Sequence, residues 1–182
     1  MLLGYGSKDI VNFLDEKNDL IRNLGLKITT TIEDEQLGTG GALKNAILKN
    51  QDNFNKLLCT NCDTWIPDGF KKMSNLEPNT LAVAVSFSRT DASFVHVDKN
   101  MILNFFEPNK SNVNNLKYIS AGLYNLDINT IAQFKNNKFS LEKDLFPYLA
   151  ASMNLRANIL PCQITDIGIT TRYQQFCDTL KQ

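Results

Sequence analysis

The chain has 182 residues, 43% of them hydrophobic, and carries 19 basic and 19 acidic side chains, so its formal net charge is zero. This length and apolar content suit a single domain over residues 1–182, and the absence of a basic stripe argues against nucleic acid as a partner. The sequence has no signal-peptide pattern and no apolar run that would cross a membrane, so we expect a cytoplasmic protein.

Short apolar runs alternate with helical patterns, which is typical of an α/β protein with a largely parallel sheet. The first part of the chain predicts the end of a strand over residues 1–3 and a helix capped by Ser7. A β-branched run predicts a strand over 27–32, preceded by Gly25, and a glycine loop at 38–41 then opens a further helix.

The remaining elements follow the same alternation. Two of them contain ambiguities: Pro147 bends or divides a helix that begins at Ser140, and either Thr170 or Thr171 caps the last helix. The predicted strands are buried runs over 56–60 and 81–87, a hairpin of 94–97 and 102–107, a strand over 118–125, and two short strands around Ile159 and Ile164.

A glycine-rich segment, EDEQLGTGGALKNA over residues 33–46, stands between a predicted strand and a predicted helix. Glycines there allow the backbone to approach a flat ligand, and the start of a helix supplies unpaired amide donors. A tight turn with a helix cap is an equally good interpretation of the segment taken alone. A Walker loop is excluded because no GKS or GKT follows.

Two aspartates follow apolar runs: Asp63 in CTNCDTWIP (59–67) and Asp166 in ITDIGIT (164–170). Each alone is as well explained as a turn residue. Ligands in open α/β sheets lie beyond strand ends, and Mg²⁺ is commonly held by one or two carboxylates with water and phosphate oxygens. The pair therefore predicts a divalent-metal site for phosphate chemistry.

Four cysteines include a CxxC pair, Cys59 and Cys62, which raises the question of a zinc or redox site. A zinc site needs a second close pair, but Cys162 and Cys177 are far apart in sequence and the single histidine, His96, is distant from both. We therefore expect reduced thiols that are buried or half-buried.

Six motifs in order carry a resemblance to a known family: EQLGTGGALKNA, NCDTWIPDGF, ILNFFEP, YISAGLYNL, SLEKDLFPYL and TDIGITTRYQQF. They resemble the sugar-1-phosphate nucleotidyltransferases, and most closely the guanylyltransferase-like proteins for heptose 1-phosphate and mannose 1-phosphate. The resemblance implies a Rossmann-like nucleotide-diphospho-sugar transferase fold with a mixed, mostly parallel sheet and flanking helices. It implies an enzyme in which a sugar 1-phosphate attacks the α-phosphorus of a nucleoside triphosphate, giving an NDP-sugar for glycan or surface-polysaccharide precursors, and pyrophosphate.

The resemblance also implies which residues bind the nucleotide. The family's base-contacting segment falls on Leu37, Gly38 and Thr39, and a further base-facing position falls on Glu33. Guanine offers two adjacent donors, which a carboxylate accepts as a pair, whereas uracil suits an amide. Glu33 therefore favours GTP.

The family's metal ligands fall on Asp63, which is also the predicted catalytic residue, and on Asp166, with Mg²⁺ as the implied cofactor. Its sugar-binding positions fall on Glu107, Ser120 and Gly122. Catalysis then consists of positioning and charge neutralisation without a side-chain nucleophile. The implied partners are the two substrates, with no nucleic acid or membrane, and an oligomer is possible.

The chain departs from the family pattern at its start, where the first strand, the GxGTR triphosphate loop and a lysine-bearing PK segment are not matched. We therefore expect weak or no turnover by the chain as given. Three interpretations remain: an enzyme of this family, an inactive remnant that binds a nucleotide sugar or a partner chain, and a glycosyltransferase. The last is disfavoured because Asp63 is followed by Thr64 and Trp65 instead of forming a DxD motif.

Overall fold

The computed structural model of the chain describes residues 1–50, 56–85, 92–106, 117–162 and 164–181. Its residues group into two compact units. The first unit is drawn from residues 1–53 and 131–141, and the second from residues 54–130 and 142–182. Within the described residues, none of the helices combines the length and the apolar character that a membrane crossing requires.

The first unit contains a short parallel ladder and three helices. Strand β1 (Leu2–Leu3) pairs in parallel with β2 (Thr31–Ile32), so only the end of the strand predicted over 27–32 lies in a ladder. The helices are α1 (Ser7–Glu16), α2 (Asn18–Asn23) and α3 (Gly38–Lys49). Of these three helices only α3 contains buried residues, and Ile131, Phe139 and Leu141 of the same unit are buried as well.

Glycine backbones determine two helix ends in this unit. The predicted cap, Ser7, is instead the first residue of α1, and Gly6 precedes it in the left-handed region with φ 74° and no side-chain cap. At the other end of the pair, α2 closes with the Leu26 amide donating to the Ile21 carbonyl (3.1 Å). Gly25, with φ 67°, takes the left-handed position that such a helix end requires.

The second unit is built on a six-stranded sheet in the order β3-β8-β5-β9-β7-β6, with an additional β8–β6 pairing. A separate antiparallel ladder joins β4 and β10. The elements from residue 56 onward are β3 (Leu57–Thr60), β4 (Thr64–Trp65), α4 (Gly69–Met73), β5 (Thr80–Val85), β6 (Phe94–Asp98), β7 (Met101–Phe106), β8 (Tyr118–Leu126), α5 (Ile128–Ala132), a π-helical turn (Leu141–Leu145), α6 (Phe146–Ala151), β9 (Arg156–Ile159), β10 (Thr165–Asp166) and α7 (Thr170–Thr179).

The sheet is mixed, as predicted, but the prediction that it is mostly parallel is wrong for the described strands. Among these, β5 and β9 form the one parallel pair of the six-stranded sheet. The other pairs are antiparallel: β8 with β3, β5 and β6, and β7 with β6 and β9. Central strands that are covered on both faces are continuous apolar runs in either direction, so the sequence pattern does not reveal the direction of pairing.

The core of the second unit forms where β5 and β8 meet the helix after the π-helical turn. Residues 81–84 of β5 are buried, and Phe146 of α6 is fully buried. The Phe146 ring packs edge-on against Tyr124 at a centroid distance of 4.9 Å and tilted against Phe105 at 5.4 Å. Pro147 lies in the first turn of α6, where its missing amide is tolerated, and the predicted helix is continuous but changes from π-helical to α-helical at Phe146.

Candidate functional site

In the first unit, Glu33 is held in place at both its backbone and its side chain. Its amide donates to the Leu3 carbonyl (3.0 Å) just beyond the β1–β2 ladder. Its carboxylate Oε2 accepts the Leu37 amide at 3.1 Å, in a partly buried position. The predicted base-reading carboxylate therefore also supports the loop that precedes α3.

The glycines after Leu37 allow a close approach between two backbone segments. The amides of Gly40 and Gly41 both donate to the Phe139 carbonyl, at 3.0 and 3.1 Å, and the Phe139 amide donates to the Leu37 carbonyl at 2.9 Å. A Cβ on Gly38 would lie 2.6 Å from the Phe139 oxygen. The expectation of unpaired amides at the start of this helix is wrong for Gly40 and Gly41, because a backbone carbonyl already accepts from them.

Further contacts attach the segment around Phe139 to α3. The Lys44 ammonium is buried and donates to the Phe134 carbonyl at 2.7 Å. The rings of Phe134 and Phe139 lie 4.4 Å apart. The Thr39 hydroxyl accepts the Leu141 amide at 2.9 Å. Leu37, Gly38 and Thr39 thus form a well-supported loop, and their contact with a nucleobase stays a prediction.

In the second unit, the β4–β10 ladder brings the two predicted metal-binding aspartates together. Asp63 immediately precedes β4, and Asp166 is paired with Thr64 across the ladder. The Ile167 amide donates to the Asp63 carbonyl at 2.7 Å. A Cβ on Gly168 would lie 2.8 Å from Asp63 Oδ2 and 3.3 Å from Asp166 Oδ1, so both carboxylates border the same small space.

The two carboxylates have different surroundings. Asp166 Oδ1 accepts the Gly168 amide at 2.9 Å and forms an ion pair with Arg172 Nη2 at 3.3 Å. Asp63 is exposed, and its Oδ1 accepts the neutral Thr64 hydroxyl at 3.3 Å. Within the described ranges, no group of three or more His, Cys, Asp or Glu side chains is arranged to hold a metal ion. A pair of carboxylates alone fits Mg²⁺, which takes its remaining ligands from water and phosphate.

Asp166 also borders a polar cleft of about 160 Å³ that contains two of the predicted sugar-binding residues, Ser120 and Gly122. Gly122 is buried with φ 71°, and a Cβ there would lie 2.8 Å from the Asn61 side-chain nitrogen. Asn61 therefore packs directly on a backbone position that only glycine fits. The third predicted sugar-binding residue, Glu107, lies outside the described residues.

Sequence reasoning did not single out two of the residues that line this cleft, Tyr124 and Glu142. The Tyr124 hydroxyl donates to Glu142 Oε1 at 3.5 Å. Burial raises the pKa of Tyr124, and the negative charge of Glu142 raises it further, so the phenol stays protonated. Glu142 lies in the motif SLEKDLFPYL and Tyr124 in YISAGLYNL. The motifs mark both segments as similar to the family, but they do not indicate which residues of a segment line the cleft.

The two cysteines of the CxxC motif have different surroundings. Cys59 lies on β3, and burial raises the pKa of its thiol to about 12. Cys62 is exposed, and all four cysteines are thiols without a disulfide bond. The expectation of a buried or half-buried thiol is therefore wrong for Cys62.

Alkylation is expected to distinguish the two thiols of the CxxC motif. At pH 8, a thiol with a pKa of about 12 is ionised in roughly one molecule in ten thousand, and only the thiolate reacts. Iodoacetamide should therefore modify Cys62 at least about a hundredfold faster than Cys59 in the folded protein. Peptide mass spectrometry over time measures both rates, and 6 M guanidinium provides the unfolded control. Comparable rates in the folded protein would contradict a raised pKa for the half-buried Cys59 thiol.

Comparisons with known proteins agree on one class of enzyme. No protein-family model matches the chain. The chain is 29% identical over 185 residues to a probable mannose-1-phosphate guanylyltransferase 1 from Oryza sativa subsp. japonica, covering 92% of this chain and 47% of the relative. It is 28% identical over 181 residues to the D-glycero-alpha-D-manno-heptose 1-phosphate guanylyltransferase of Campylobacter jejuni, covering 94% and 78%. It thus spans about half the length of the plant relative.

Among solved structures, the chain is similar to HddC from Yersinia pseudotuberculosis with a TM-score of 0.78 and 24% identity, covering 98% of this chain and 76% of that one. HddC has also been solved complexed with GMP-PN. The named relatives are nucleotidyltransferases, and the chain is consistent with an enzyme of this kind. The resemblance seen in the six motifs is confirmed: the chain is related to the sugar-1-phosphate nucleotidyltransferases and has the nucleotide-diphospho-sugar transferase fold.

Proposed function

We propose that this protein transfers a nucleotidyl group from a nucleoside triphosphate, with GTP favoured, to a sugar 1-phosphate, releasing pyrophosphate. The observation that supports this most directly is the convergence of Asp63 and Asp166 on Gly168 beside the polar cleft. We propose further that the reaction is cytoplasmic and supplies glycan precursors.

The cleft residues take separate roles in this proposal. Asp63 and Asp166 hold a divalent cation, for which Mg²⁺ fits the carboxylate pair; when bound, it neutralises charge on the α-phosphate. Ser120, Gly122 and Glu142 line the space for the sugar, where a carboxylate and a hydroxyl are suitable partners for sugar hydroxyls. No side-chain nucleophile is required, because the attacking oxygen belongs to the sugar phosphate.

We assign the nucleobase to the loop of Glu33 and Leu37. One carboxylate oxygen of Glu33 accepts the Leu37 amide, and a carboxylate has about four acceptor sites in all, so acceptors remain for guanine. The names of the relatives as guanylyltransferases, and the GMP-PN complex of HddC, support guanine as the base.

Changing Glu33→Gln is expected to reduce the preference for GTP over UTP by about tenfold or more, since one charge-assisted hydrogen bond contributes about 1.5–3 kcal/mol. The glutamine carbonyl still accepts the Leu37 amide, so the loop is retained. The measurement is kcat/KM with each nucleotide, and Glu35→Gln, at an exposed position of the same loop, is the matched control. An unchanged GTP/UTP ratio contradicts guanine recognition by Glu33.

The proposed function is tested by incubating the protein with each nucleoside triphosphate, Mg²⁺ and mannose 1-phosphate or a heptose 1-phosphate. Pyrophosphate release that requires both substrates, with GTP the best nucleotide, supports the proposal. Binding of a GDP-sugar without pyrophosphate release would favour the inactive remnant instead. Release that does not depend on the sugar 1-phosphate would contradict nucleotidyl transfer to a sugar.

A further inference from the structure

The first turn of α7 places a permanent cation on one of the two proposed metal ligands. Arg172 Nη2 lies 3.3 Å from Asp166 Oδ1, and the side chains of Arg172 and Asp166 are 29% and 20% exposed. The same Oδ1 atom accepts the Gly168 amide and lies next to the space shared with Asp63. The Asp166 oxygen that borders the space shared with Asp63 is therefore the one in contact with the guanidinium.

An arginine in this position affects any cation that approaches the carboxylates. The guanidinium is protonated at every physiological pH and donates in a planar fork, so its charge is not removed by titration. A divalent ion at Asp166 would compete with Arg172 for the lone pairs of Oδ1 and would also be repelled by its charge. Asp63 accepts instead from the neutral Thr64 hydroxyl, so the two ligands are unequal.

We propose that Arg172 is a positioning residue that competes with the metal for Asp166 and thereby keeps the affinity for the bare cation low. This inference rests on the proposed function, which assigns Asp63 and Asp166 as metal ligands. Phosphate oxygens add ligands and negative charge, so the cation is held well only together with the nucleotide. The chemical partner that this arrangement selects is a metal–nucleotide complex, in preference to the cation alone.

The test measures Mn²⁺ binding by electron paramagnetic resonance in the absence of nucleotide. Arg172→Ala is expected to tighten Mn²⁺ binding about two- to fivefold, the size expected when a partly exposed ion pair no longer competes. Arg172→Lys keeps the charge and should remain close to the wild-type protein. Lys181→Ala removes a cation from an exposed pair with Asp178 (3.1 Å) beyond the end of the same helix, and it should leave the affinity unchanged.

A second measurement separates competition from a structural role of the ion pair. The increase in melting temperature caused by Mg²⁺ should be larger in Arg172→Ala than in the wild-type protein, although the metal-free variant is no more stable. If Arg172→Ala binds Mn²⁺ no more tightly than the wild-type protein, Arg172 does not compete with the metal for Asp166. The proposed function is unaffected by that result as long as Asp166→Asn abolishes Mn²⁺ binding. If Asp63→Asn and Asp166→Asn bind Mn²⁺ like the wild-type protein, the metal assignment itself fails.

Discussion

Replacing either Asp63 or Asp166 with asparagine, in a chain joined to the family's GxGTR-bearing segment, is expected to abolish nucleotidyl transfer, with kcat lowered by about a thousandfold, because each change removes a charged metal ligand. The fold should be retained. Asp63 is exposed, and an asparagine at position 166 keeps an acceptor for the Gly168 amide while losing a partly exposed ion pair with Arg172. Loss of such a pair costs about 1 kcal/mol or less.

Pyrophosphate release measures the activity of these two variants, and circular dichroism with urea unfolding measures their stability. Asp178→Asn is the matched control, since Asp178 is an exposed aspartate on α7 paired with Lys181. The control should retain full activity. Undiminished release by either Asp63→Asn or Asp166→Asn would rule out a metal-binding role for that carboxylate.

A second large effect is expected on stability when Gly38 is changed to alanine. Gly38 has φ 77°, a conformation that costs an L-residue about 1–2 kcal/mol. In addition, the new Cβ would lie 2.6 Å from the Phe139 carbonyl oxygen, so the backbone itself must shift. Overpacking of this kind costs about 1–3 kcal/mol. We therefore expect Gly38→Ala to lower the free energy of unfolding by about 3 kcal/mol.

Gly25→Ala provides the control that isolates the contact with Phe139. Gly25 has a similar φ of 67°, and nothing lies within 4 Å of the position of its Cβ. It should show the backbone penalty alone, about 1 kcal/mol, in urea unfolding. Equal losses at Gly38 and Gly25 would show that the close approach of Phe139 has no energetic consequence.

The sequence predicts much of the cleft because its signals are local. Asp63 and Asp166 each follow an apolar run. Asp63 immediately precedes β4, and Asp166 is the last residue of β10, the strand paired with β4. Their meeting could be expected, but the contact of Asp166 with Arg172 could not. That contact depends on where α7 begins. The sequence predicts Thr170 or Thr171 as the helix cap, whereas Thr170 is the first residue of α7 and Ile169 precedes it without a side-chain cap.

Other features are set by distant contacts that no local pattern records. The antiparallel direction of β8 is fixed by its pairing with β3, β5 and β6. The sequence predicts that the glycines at the start of α3 leave space for a ligand, whereas the amides of Gly40 and Gly41 donate to the Phe139 carbonyl. A requirement for glycine looks the same in sequence whether the approaching group is a ligand or another part of the backbone.

The dependence of this loop on Phe139 and Leu141 has a consequence for the order of folding. The Leu141 amide donates to the Thr39 hydroxyl, which lies 102 residues away in sequence. Such a long-range contact forms more slowly than a single helix because a long loop must close first, at a cost in chain entropy. During synthesis from the amino end, α3 emerges well before the backbone groups that bind its first turn. We therefore expect residues 37–41 to acquire this conformation only after residues 139–141 have been synthesised.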